Sequence, residues 1–167
     1  KYEQMLAFGR KIYFDADEFA ALADNYNSLG ENEQAQEVID EGLRMHPASP
    51  DLMVLKAKTV VYAEKYEEAF SYLNNIPGDG DVELALLRIE TLLHLEKKEE
   101  ANILINETIS RELSIDDLYV FITEVGYILN DVESYDRAIS YLEESLKIDD
   151  SNPDVLIDLA YANEMKG

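Results

Sequence analysis

The sequence predicts an all-α fold, an α-solenoid of antiparallel helix hairpins. Pairs of residues, small in every case but Ile89, recur at a fixed separation of 12: Ala23 and Ala35, Ala57 and Ala69, Ile89 and Ala101, Gly126 and Ala138. The second members of these pairs follow one another at 34, 32 and 37 residues, the period of a two-helix repeat. No stretch sustains the strict apolar and polar alternation of a strand, and no β-hairpin turn signal is present.

Taken in order, 1–14 carries Tyr2, Met5, Leu6, Phe8 and Ile12 at the spacing of one apolar helix face, and is expected to be the second helix of a truncated repeat. The first complete repeat is expected at 16–49. Asp15 or Asp17 can cap its first helix, Gly30 supplies the turn, and Pro47 with Pro50 ends the second helix. The second repeat, 50–80, has Tyr66, Phe70 and Leu73 on its second helix, which Ile76-Pro77-Gly78-Asp79-Gly80 should shorten. The third, 81–113, carries Leu84, Leu87, Leu92, Leu93 and Leu95 on its first helix. The fourth, 114–152, shows Ile122-x2-Val125-Gly126, then Ala138, Leu142, Leu146 and Ile148. Its longer period predicts a lengthened turn around Arg111 to Asp117, with Ser114 as a cap. From 153 to 167, Leu156-x2-Leu159-Ala160 begins the first helix of a further repeat.

The stretch Phe19-x2-Leu22-Ala23-x2-Tyr26, then Gly30, Ala35-x3-Ile39 and Pro47, resembles the tetratricopeptide repeat (TPR), W-x2-L-G-x2-Y…A-x3-F…P over about 34 residues. Ile89 stands where the family usually has a small residue, and Lys56 and Arg88 where it usually has Leu. The resemblance implies a single right-handed superhelical array over 1–167, with the first helices lining a concave groove. In the family's register that groove includes Asp17, Ala20, Asp24, Asn27, Asp51, Val54, Lys58, Val61, Tyr62, Glu83, Leu86, Glu90, His94, Thr123, Tyr127, Asn130, Ile157 and Tyr161. The candidate peptide-binding residues are Asp24, Asn27, Lys58, Tyr62, Glu83, Glu90, His94, Tyr127, Asn130 and Tyr161. Lys58 is the lone cation of the groove set, which argues against a clamp for a partner's C-terminal carboxylate, since such a clamp needs cationic donors.

Composition narrows the function classes. A formal net charge of −22 repels phosphate backbones and removes the counterion-release drive for nucleic-acid binding. The chain has no Cys, so disulfides, thiolate catalysis and Cys-based zinc sites are absent; this fits a cytosolic protein without excluding a secreted one. No apolar run reaches the ~18 to 20 residues that span a bilayer. His pairs on one helix, G-x-S-x-G and phosphate-cradling glycine loops are also missing. Asp79-x-Asp81-x-Glu83 has hard oxygen ligands but lacks the rest of a calcium loop. The expectation is a non-enzymatic scaffold, without cofactor or metal, that binds a protein or peptide with a basic segment. The alternatives are a structural or self-association module and a regulatory repeat region of a larger protein.

Overall fold

The computed structural model describes residues 14–78 and 81–167. Most of the expected 1–14 helix, and Asp79 of the acidic loop, lie outside the described residues. Among the described residues regular structure is helical throughout: α1 (Ala16–Ser28), α2 (Asn32–Met45), α3 (Pro50–Tyr62), α4 (Tyr66–Leu73), α5 (Val82–His94), α6 (Lys98–Ile109), α7 (Ile115–Asp131), α8 (Tyr135–Leu146) and α9 (Pro153–Lys166). The chain divides into two compact units, Lys1–Ala63 and Glu64–Gly167.

Helix starts fall into two kinds. The helices α1, α3, α5, α7 and α9 each follow an extended residue whose side chain accepts from a first-turn N–H: Asp15, Ser49, Asp81, Ser114 and Asn152. Asp15 forms a full capping box with Glu18, at 2.8 and 3.2 Å, which satisfies two otherwise orphaned donors. The helices α2, α4, α6 and α8 have no side-chain cap. They emerge from a turn at Gly30, Glu64, Glu96 and Glu133, all with positive φ, at 77°, 56°, 57° and 57°. In three of these turns the next N–H returns to a carbonyl five residues back, Glu31 to Tyr26, Lys97 to Leu92 and Ser134 to Leu129, at 2.8–2.9 Å. This Schellman closure satisfies the end of one helix and aims the chain into the next. Only Gly30 is a glycine.

In the first unit Phe14, Phe19, Ala23, Val38, Ile39 and Leu52 form the buried core. A Cβ on Gly42 would stand 2.9 Å from Leu52 Cδ1 and 3.0 Å from Phe19 Cβ, so α2 approaches its neighbours over bare backbone. His46 Nε2 donates to the Phe14 carbonyl at 2.8 Å, which fastens the end of α2 to the start of α1.

The second unit buries Ile89, Leu93, Ala101, Ile105, Phe121, Val125, Leu129 and Ala138 in one cluster. Ile89, despite its size, is 0% exposed. Gly126 lets Leu142 lie on the α7 backbone, where a Cβ would meet Leu142 Cδ2 at 2.6 Å. Arg88 donates to the carbonyls of Leu73, Ile76 and Gly78 at 3.2, 2.9 and 3.3 Å. It thereby ties the last carbonyl of α4, a helix of only eight residues, to two carbonyls of the segment that follows. The residues that stretch the last period to 37 do not form a lengthened turn. They extend α7 to 17 residues against 13 in α5, because Asp116 and Asp117 beside the Ser114 cap favour a helix start.

Candidate functional site

The sequence-selected residues gather at two places, one in each unit. In the first unit α1 supplies Asp24 and Asn27, the start of α2 supplies Asn32 and Gln36, and α3 supplies Leu55, Lys58, Thr59 and Tyr62. Together they line a cavity of about 580 Å³. Lys58 Nζ lies 5.9 Å from the Tyr62 ring centroid, and Tyr62 is 69% exposed. This cavity therefore offers amide donors and acceptors, one cation, one carboxylate and one open aromatic face. Val54 and Val61 are buried in the core; their register position faces inward, because α3 is covered on that side by its neighbours.

In the second unit an acidic face runs over α5, α7 and α9. Burial pushes the Glu90 carboxyl up to about 6, and the charges of Asp131 and Glu124 add to the effect. Burial also raises Asp131; His94 opposes that shift and Asp158 adds to it. The Tyr127 phenol is pushed up to about 12 by burial and then by Asp158, Asp154, Glu124 and Tyr119. His94 stacks on Tyr66, with centroids 4.1 Å apart and planes within 6°.

Asn130 is 4% exposed and joins α7 to α9, its Nδ2 donating to the Asp158 carbonyl at 3.1 Å and to Asp158 Oδ1 at 3.2 Å. Thr123 is buried and shares a hydrogen bond with Ser145 at 2.5 Å, so it ties α7 to α8. Tyr161 lies edge-on to Tyr135, with centroids 6.1 Å apart, and Glu83 sits exposed in the first turn of α5. Asp81, weighed with Glu83 as a metal ligand, caps α5 by accepting from the Glu83 N–H at 2.8 Å. Asn32, Gln36, Glu124, Asp131 and Asp158 escaped the sequence reading. Asp131 and Asp158 each adjoin a residue of the expected groove, so a register one position wider would have found them.

Helix pairs repeating every 32 to 37 residues, with tightly packed crossings, define a helical-repeat solenoid. Residues 122–152 match the tetratricopeptide repeat family model, and the protein has the all-α fold of tetratricopeptide-repeat solenoids. The chain is similar to the solved MamA 41-end from Desulfovibrio magneticus RS-1, with TM-score 0.63, 12% identity, and coverage of 90% of this chain and 85% of that one. A thermophilic TPR protein of Thermus thermophilus gives TM-score 0.65 at 14% identity, covering 91% and 83%. A tetratricopeptide repeat protein from Parabacteroides merdae gives 0.57 at 16%, covering 91% and 60%. At these identities the likeness is one of fold. No curated protein matches the sequence.

Proposed function

We propose that the protein is an interaction scaffold that holds a partner's peptide segment carrying Lys or Arg, without catalysing a reaction. The observation that carries this reading is Glu90: a half-buried carboxyl raised by burial and raised further by two other acids, Asp131 and Glu124. A cationic side chain placed there would relieve the repulsion and form charge-assisted hydrogen bonds. The amide-lined cavity of the first unit is a separate candidate surface suited to a peptide main chain, since Asn and Gln supply both donors and acceptors. With Lys58 as its cation and Asp24 beside it, this cavity is poorly suited to a C-terminal carboxylate.

The test is titration of a fluorescent basic peptide and an acidic counterpart against wild type, a Glu90→Ala variant and, separately, a Tyr62→Ala variant. The basic peptide should bind with a Kd that rises with salt, and Glu90→Ala should bind it roughly tenfold more weakly. Equal affinity for wild type and Glu90→Ala would remove the Glu90 face from consideration, and Tyr62→Ala reports on the first-unit cavity by itself. A second reading, self-association, is favoured by α9, where Leu156, Ile157, Tyr161 and Met165 are all exposed. A Leu156→Glu, Ile157→Glu variant should then shift light scattering towards the monomer; scattering identical to wild type would reject that surface.

A further inference from the structure

We propose that the face shared by α5, α7 and α9 is a receptor for an arginine side chain, with Glu90, Asp131 and Asp158 as anionic acceptors and Asn130 as a neutral one. The proposal rests on the basic-segment reading above and adds the identity of the residue recognised. Its independent support is Asn130. Both hydrogen bonds of its Nδ2 go to Asp158, while its Oδ1 is buried and has no donor. A buried amide oxygen without a partner is the exception in folded proteins, and one natural remedy is a donor brought by a ligand. The carboxylates around it have no cationic side chain of their own: among the described residues no Lys or Arg forms an ion pair with Glu90, Asp131 or Asp158, and the donor that Asp158 receives is the neutral amide of Asn130. His94 opposes the upward shift of Asp131, and its ring is already stacked on Tyr66.

The shape of the acceptor set favours arginine over lysine. The acceptors come from three helices and include two chemistries, carboxylate and amide. A guanidinium presents five N–H donors in one plane and can serve several such acceptors at once, whereas an ammonium is a compact charge with three donors. The site also carries the Tyr127 ring, on which a flat guanidinium can stack.

Three acetylated seven-residue peptides, identical except for a central Arg, Lys or citrulline, provide the test when titrated into the ¹⁵N-labelled full chain. The Arg peptide should shift the Asn130 side-chain amide and the Tyr127 backbone amide saturably. The Lys peptide should bind about tenfold more weakly, and the uncharged citrulline peptide should leave both signals in place. Asp158→Asn and Glu90→Gln should each weaken the Arg peptide about tenfold. Glu90→Gln keeps the test decisive if loss of the Asp158 carboxylate disturbs α9. Equal binding of Arg and Lys, or shifts spread evenly over the acidic surface without Asn130, would overturn the arginine receptor and leave the basic-segment reading standing. Failure of both cationic peptides to bind would overturn both.

Discussion

The hairpins α5–α6 and α7–α8 occupy the same register, yet they close their crossings with opposite residues. Ile89 and Gly126 each stand 12 residues before a buried alanine. Ile89 is fully buried, whereas Gly126 leaves bare backbone for Leu142 to cover. The two hairpins also differ one residue earlier, Arg88 against Val125, and one residue later, Glu90 against Tyr127. What is shared is complementary volume at the crossing and the turn that follows it. Packing of this kind tolerates a change of residue where the facing surface changes with it.

The largest expected effect breaks that complementarity. Ile89→Ala should destabilise the protein by about 3 kcal/mol through lost burial and a residual cavity. At the matching position Gly126→Ala should cost about 1–2 kcal/mol for the opposite reason, overpacking against Leu142. Urea denaturation checks both, and a loss under ~1 kcal/mol for Ile89→Ala would show that this crossing repacks freely. Next comes Arg88. Arg88→Leu introduces the residue usual in the family, but it removes the guanidinium from the Leu73 carbonyl, which keeps the Ile76 N–H, and from the Ile76 and Gly78 carbonyls just beyond α4. A loss of about 2 kcal/mol is expected, with faster amide exchange in α4 as the local readout.

These positions also mark where the sequence was legible. Ala35, Ala69, Ala101 and Ala138 are all at most 1% exposed, because a small side chain at a fixed spacing reports a helix crossing directly. Asp15 and Ser114 were readable as caps, since capping is local chemistry. The role of Arg88 was not, because three carbonyls 10 to 15 residues away carry no side-chain signal. Nor was the inward turn of Thr123, whose hydroxyl partner lies 22 residues on. Of the candidate residues, Asp24, Asn27, Lys58 and Tyr62 line one cavity in the structure, a grouping that the register alone did not describe. It could not show that Asn130 is tied to Asp158, which depends on how α9 meets α7.

The contrast of Glu90 with Tyr127 gives a pH test. Glu90 is raised from 4.5 to about 6 in the folded protein, so the native state holds its proton more tightly than the unfolded chain. Its contribution to stability is full below pH ~4.5 and is lost as pH rises through about 6. Glu90→Gln should therefore stabilise the protein at pH 7, by less than about 1 kcal/mol after solvent screening, and leave it unchanged at pH 4. Equal effects at both pH values would mean that the carboxyl is held up neither by burial nor by the neighbouring acids.

The smallest effect sharpens what the two hairpins share. Glu96 and Glu133 both sit at φ 57°, a left-handed conformation that costs a residue with a side chain roughly 1–2 kcal/mol and glycine almost nothing. Glycine gives back part of that gain through the greater freedom of the unfolded chain. Glu133→Gly should leave a net stabilisation of about 0.5 kcal/mol, near 1–2 °C in Tm for a chain of this size. Glu96→Gly should gain less, because Glu96 also pairs with Lys98 at 2.9 Å, an exposed contact worth about 0–1 kcal/mol. Removing that contact first, with Lys98→Ala, should bring the two glycine substitutions to the same value. If they still differ, the turns are not equivalent, and their shared backbone geometry hides a side-chain role for one of the glutamates.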